Sequence, residues 1–149
     1  MNLPAETLFN LVNLFILPAW FLLMLAPKWK WTKKIVLSGL YPMLYAGLYT
    51  IVLAFQFSNI ELNFNSLENI YQLFSNPYVL LAGWIHYLSF DLFVGAWIVS
   101  DSQSNNIHGW PIIPILGFSF YLGPLGFLGY ITYRKLRLSL SAGKNAMEN

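Results

Sequence analysis

The sequence contains no cysteine. That removes disulfides, thiolate nucleophiles and cysteine-ligated metals from consideration. Charge is nearly as scarce: Asp, Glu, Lys and Arg make up 9% of 149 residues, where soluble domains carry about 25%. Histidine occurs twice, as His86 and His108, and no His-x-x-x-His pair is present to nominate a metal site. There is no P-loop, no Gly-x-Gly-x-x-Gly following a strand and no Gly-x-Ser-x-Gly elbow, so the common soluble-enzyme signatures are missing. The opening Met1-Asn-Leu-Pro-Ala-Glu6 lacks the basic start of a signal peptide and the Arg/Ser-rich character of a transit peptide. The first apolar run is therefore expected to be a retained membrane helix.

What is abundant is apolar: 57% of residues are hydrophobic and 18% aromatic. That composition implies a multi-pass integral membrane protein whose first partner is lipid. The eight Lys/Arg fall in two groups, Lys28, Lys30, Lys33 and Lys34, then Arg134, Lys135, Arg137 and Lys144. Clusters of this kind mark membrane interfaces rather than a nucleic-acid surface.

Four runs are long enough to cross about 30 Å of hydrocarbon, which takes roughly 20 residues. They are 7–26, 35–57, 78–100 and 110–133. Between the second and third, Leu67, Ile70, Tyr71 and Phe74 fall at helical spacing, which predicts a short interfacial amphipathic helix. The expected fold is all-α: a bundle of four transmembrane helices over residues 1–137, with a flexible tail at 138–149. Prolines at 18, 42, 111, 114 and 124 are compatible with membrane helices, and Gly123-Pro124 is the expected kink. Four spans would put the two basic clusters on opposite sides of the membrane, with both termini outside. Small residues at 39, 46, 47, 83, 95, 96, 117, 123, 126 and 129 are candidate points of close helix approach.

Asp91 is the only formal charge inside an apolar run. A carboxylate near the centre of a membrane helix costs about 2.5–3.5 kcal/mol or more, and intramembrane acids are functional by default. Without a counter-charge, such a group favours its neutral form. At about 100° per residue, Trp84, Tyr87 and Asp91 share one helix face, with Phe90 and Trp97 flanking the neighbouring face of His86. His86 and Asp91 are five residues apart, roughly 140° around the axis, too far round for a helical side-chain pair. They serve either as two groups converging on a ligand or as separate contacts to other helices, for which Asn10, Asn13, Tyr41, Tyr45, Tyr49 and Tyr121 are candidate partners. Asp101 and His108 bracket the next loop as polar support or as capping groups. Ten residues, about 15 Å of helix, separate Asp91 from Asp101, which argues against one metal centre using both.

The string Gly83-Trp-Ile-His86-Tyr-Leu-Ser-Phe-Asp91-Leu-Phe-Val-Gly95-Ala-Trp97 is distinctive. It is followed by Asp101-Ser102, Ile107-His108, Pro111, Pro114 and Phe120-Tyr-Leu-Gly123-Pro124-Leu-Gly126. With Phe9-x-x-x-Asn13, Pro18-x-Trp20 and the lysine turn, it resembles the abscisic-acid-deficient-four, neoxanthin-synthase-like family of membrane proteins over about residues 8–134. The resemblance implies a four-helix membrane protein of xanthophyll metabolism, required in plants to make neoxanthin from violaxanthin. That reaction is an isomerisation needing no redox cofactor, so none is expected. An epoxide opens to a tertiary hydroxyl and a proton leaves the adjacent polyene carbon, giving an allene. Asp91 as acid and His86 as base would serve it, with Trp84, Tyr87, Phe90, Trp97 and Tyr121 lining the polyene and Asp101, His108 and Asn13 in support. The start of the chain at its first helix points to a bacterial member in a plasma or thylakoid membrane. Two alternatives stand beside this: a non-catalytic binder of carotenoid or another long isoprenoid, alone, as a homo-oligomer or in a biosynthetic complex, and a metal- or haem-associated enzyme using His86 and His108.

Overall fold

A computed structural model describes residues 4–57, 63–107 and 110–147, with side chains described through residue 140. Every element among the described residues is helical. α1 is Ala5–Leu25, α2 a single turn at Lys30–Thr32 that runs into a π-helical turn at Lys33–Leu37, and α3 is Leu40–Gln56. α4 is Leu67–Phe74, α5 Pro77–Ser104, α6 Ile112–Tyr121 and α7 Gly123–Met147.

α5 is the central post. Asn76 caps it, its side chain accepting from the Tyr78 and Val79 N–H groups at 2.9 and 3.4 Å, and Pro77 opens it without an N–H to satisfy. Its 28 residues extend about 42 Å. α1 runs alongside it in the same direction. Ala5 lies beside Pro77, Trp84 Nε1 donates to Asn13 at 3.0 Å, and Gln103 donates to the Pro27 carbonyl at 3.0 Å. α3 returns antiparallel, with Ser89 donating to the Pro42 carbonyl at 2.8 Å and Asn76 meeting Gln56 at 3.4 Å. Two tyrosines tie α3 to α1: Tyr45 donates to the Val12 carbonyl at 2.7 Å and Tyr41 to that of Phe15. Those hydroxyls are thus committed away from Asp91. Among the described residues, three stretches are long and apolar enough to cross a membrane: Ala5–Leu25, Lys30–Gln56 and Pro77–Ser104.

The fourth apolar run does not continue as one span. At Leu122 the backbone leaves the helical region (φ −146°, ψ 66°), and the chain reverses. α6 climbs antiparallel to α1 and α5, from a groove beside Met24 and Gln103 to Tyr121, whose carbonyl accepts from Tyr87 at 2.7 Å. α7 then descends parallel to α5: Gly123 meets Asp91, Phe127 meets Trp97 at 5.5 Å, and Tyr130 and Arg134 meet Asp101. The result is a helical hairpin inserted halfway along α5. The expectation of four spanning helices fails here for a local reason. Gly123-Pro124 supplies a residue without a side chain and one without an N–H, and the residue before proline disfavours helix. The second arm then packs back because Gly126 is bare: a Cβ there would lie 2.5 Å from Ser119 Cα.

The hairpin also moves the C-terminus. Both basic clusters sit at one end of the bundle, and α1 begins at the opposite end from the one towards which α7 runs. α4 forms where its apolar spacing predicts, with Ser66 accepting from the Asn69 N–H at 3.1 Å and Phe74 seated over Gly83. α7 runs to Met147 instead of ending near Arg137, since no proline interrupts the sequence between them.

Candidate functional site: a buried acid at the hairpin tip

Asp91 is buried, 7% exposed, at mid-height on α5. Its carboxyl group faces the Gly123 backbone N–H and the Tyr87 hydroxyl. Gly123 is the first residue of α7, so Asp91 caps that helix from a neighbouring one. Helix N-termini leave N–H groups unsatisfied, and in an apolar interior each needs a partner. A methyl at residue 123 would fall on Asp91 Oδ1, which leaves glycine as the only side chain that fits. The other oxygen, Oδ2, is buried without a hydrogen bond among the described residues. The Ser119 hydroxyl is also fully buried and unpartnered. It packs against Gly126, one turn beyond Gly123 on the same face of α7.

Beside this acid lies a cavity of about 510 Å³ between α1, α5 and the tip of α6. Its walls include Asn13, Leu17, Trp84, Tyr87, Phe120 and Tyr121. Three rings meet at its α1–α5 edge: Trp84 lies 5.6 Å from Phe9 and 5.2 Å from Tyr87. Polar groups are few. Asn13 donates to the Phe9 carbonyl at 2.8 Å and accepts from Trp84. Tyr87 points its proton at the Tyr121 carbonyl, so its oxygen presents lone pairs towards Asp91. An apolar cavity with a handful of placed polar groups is the usual form of a small-molecule site.

Of the residues the sequence nominated, the structure brings Asn13, Trp84, Tyr87 and Tyr121 to this cavity, with Asp91 directly behind Tyr87. It does not bring His86. That ring faces α3, 5.6 Å from Tyr49 and 4.7 Å from Phe90, in a separate cavity of about 300 Å³ under α4. Phe90 goes with it. Trp97 packs lower down, edge-on to Tyr130 at 5.7 Å. Asp101 is 17% exposed and bound from α7: Tyr130 donates to it at 2.5 Å and Arg134 pairs with it at 2.9 Å. It locks the hairpin's exit, about 15 Å from the tip. His108 lies outside the described residues, and no group of three or more His, Cys, Asp or Glu able to hold a metal occurs among the described ones. Ser119 and Tyr130 carried no expectation, and Arg134 only that of an interfacial cation. Their significance depends on the reversal at Leu122, and the one available signal was the i, i+4, i+7 spacing of Ser119, Gly123 and Gly126.

The sequence pattern of the ABA DEFICIENT 4-like family matches residues 7–130, which include the three long helices, the hairpin tip and Asp91. Among curated proteins the chain is similar to Protein ABA DEFICIENT 4, chloroplastic, of Arabidopsis thaliana, with 31% identity over 112 residues, or 69% of this chain and 50% of that protein. The chain therefore spans about half the length of that relative. No solved structure matches. With the match extending over most of its length, the chain belongs to the ABA DEFICIENT 4-like family.

Proposed function

We propose that this is an integral membrane protein of xanthophyll metabolism that isomerises an epoxy-carotenoid, or a related epoxy-isoprenoid, in the cavity between α1, α5 and the hairpin tip. The observation that carries this reading is a buried carboxyl group placed behind a tyrosine hydroxyl in the wall of an otherwise apolar cavity. Family membership supplies the substrate class. The cavity has room for the ring end of a long isoprenoid, and a second apolar groove between α1 and the start of α5, lined by Phe9, Leu80 and Trp84, suits the polyene.

The chemistry asks for a proton at the epoxide oxygen and a base at the adjacent carbon. Tyr87 turns its O–H from the Tyr121 carbonyl to the epoxide oxygen and is resupplied from the Asp91 carboxyl. The C–O bond breaks, leaving a tertiary hydroxyl. The carbon-bound proton departs as the cumulated double bond forms, and it returns through Tyr87 to Asp91. Atoms and charge balance without a cofactor. Tyr87, on the helix face of Asp91, thereby takes the proton-transfer role that the family resemblance offered to His86.

A second reading has its own observation: Asp91 already has a structural task at Gly123. In that case the cavity binds the pigment without converting it. The two separate in proteoliposomes supplied with violaxanthin and analysed by chromatography and mass spectrometry. The catalytic reading expects a product of unchanged mass, lost in Tyr87→Phe and Asp91→Asn. Conversion at the wild-type rate in both variants would refute the relay. Pigment retained without any product would leave the binding reading.

A further inference from the structure

The hairpin reverses the expected placement of charge. Because α7 descends beside α5, the stretch bearing Arg134, Lys135, Arg137 and Lys144 returns to the end of the bundle that holds Lys28, Lys30, Lys33 and Lys34. All eight Lys/Arg of the chain thus belong to one end. Among the described residues the only acid there is Asp101, and Tyr130 and Arg134 already engage it. Glu6 and Glu68 lie towards the other end, beside the start of α5 and on α4.

Three features mark the basic end as a headgroup-level surface. Trp29, Trp31 and Trp110 are 51%, 42% and 80% exposed, an aromatic belt at one level. Lys30 and Lys34 rest over Trp31 at 6.0 and 5.5 Å, which holds their ammonium groups at that level. A groove of about 390 Å³ opens in its midst between the ends of α1 and α5 and the start of α6. Met24, Val99, Ile113 and Leu116 give it apolar walls, and Lys28 and Gln103 line its polar part. The Gln103 amide is committed to the Pro27 carbonyl, which leaves the Lys28 ammonium to set the preference of the groove.

We infer that this groove is a binding site for one anionic phospholipid, its acyl chain between α1, α5 and α6 and its phosphate at Lys28. Charge complementarity argues for an anionic rather than a zwitterionic headgroup, and the apolar walls argue for a lipid rather than a free anion. The site is separate from the cavity at Tyr87, so its fate does not depend on what is bound there.

Native mass spectrometry of the purified full chain tests it, using phosphatidylglycerol and phosphatidylcholine with identical acyl chains. Wild type is expected to retain one phosphatidylglycerol about fivefold better than phosphatidylcholine, the scale of one lysine at a membrane surface. Lys28→Gln should abolish that preference while Lys135→Gln, on α7 and outside the lining of the groove, preserves it. Ile113→Trp, which fills the groove, should reduce retention of both lipids, and inorganic phosphate at tens of millimolar should displace neither. Equal retention by wild type, an unchanged preference in Lys28→Gln, or unchanged retention in Ile113→Trp would overturn the site. Complete displacement by phosphate would do so too, since it would show that the acyl chain contributes nothing. All three substituted positions are exposed (Ile113 at 48%), and an unaltered circular dichroism spectrum certifies that each variant is folded.

Discussion

Gly123→Ala is the sharpest perturbation of the hairpin. The added methyl would fall on Asp91 Oδ1 and 2.6 Å from its Cγ, and the contact is with the carboxyl of a buried residue. Overpacking of this kind costs about 1–3 kcal/mol. Displacing the carboxyl also breaks its bond to the Gly123 N–H, worth about 1.5–3 kcal/mol for a charged or strongly polar partner. Against this, alanine is a better helix former than glycine by up to about 1 kcal/mol. The net is about 2–4 kcal/mol, or roughly a 30- to 700-fold shift in the unfolding equilibrium. Gly129→Ala is the matched control on the same helix, because a methyl there meets nothing within 4 Å. Unfolding in mixed micelles, followed by far-ultraviolet circular dichroism, gives both numbers. Adding Asp91→Ala to Gly123→Ala removes the obstructing group, so the double variant should lose less than the sum of the singles. A Gly123→Ala protein as stable as Gly129→Ala would mean that the tip is not packed as described.

Further outcomes follow from the hairpin. The absence of native cysteine makes single-cysteine labelling clean: Lys30→Cys and Lys135→Cys should react with an impermeant maleimide from the same side of a sealed vesicle, and Asn65→Cys from the other. Labelling of residues 30 and 135 from opposite sides would restore a fourth span. Tyr130→Phe removes the hydroxyl that donates to Asp101 at 2.5 Å and should destabilise by about 1.5–3 kcal/mol; in an Asp101→Asn background the loss should shrink, and strict additivity would show that the two do not interact. Leu17→Trp narrows the cavity beside Tyr87 and should lower pigment retention measured by its visible absorbance, with no change in phosphatidylglycerol retention.

Much of the fold was legible because lipid simplifies the code. Three helices announced themselves by length and apolarity alone, and α4 by the spacing of Leu67, Ile70, Tyr71 and Phe74. The hairpin was not legible, because hydropathy averages over 110–133 and cannot distinguish one span from two half-helices. The turn residues were noted, but a kink and a reversal share the signature Gly-Pro. What decides between them is whether the second arm has something to pack on, and that depends on Gly126 against Ser119 and on Asp101 against Arg134. Asp91 stood out from its burial cost, and Trp84 and Tyr87 from its helix face. His86 was attached to it by closeness in sequence, yet a roughly 140° separation on one helix turns the two towards different partners, His86 to Tyr49 of α3 and Asp91 to Gly123 of α7.

The capping role of Asp91 has a consequence for its chemistry. In the first turn of α7, Pro124 has no N–H, and the N–H groups of Leu125 and Gly126 both bond to the Leu122 carbonyl, at 2.8 and 3.2 Å. Only the Gly123 N–H is left for an outside partner. One oxygen acceptor satisfies it, and the amide of asparagine provides one at the same distance with nearly the same volume. Structure alone therefore explains an oxygen at this position and does not explain an acid, whose burial is the more expensive choice. A second oxygen, able to carry a proton, is what the acid adds, on a carboxyl that also faces the Tyr87 hydroxyl. Asp91→Asn separates the two roles. The variant should keep the hairpin, with stability within about 1 kcal/mol of wild type, since the Gly123 bond survives and a neutral side chain replaces a costly one. It should still take up pigment, and it should lose conversion, because an amide does not resupply Tyr87 with a proton. A loss of stability as large as that of Asp91→Ala would make the carboxyl a purely structural element, and undiminished conversion would remove it from the proton path.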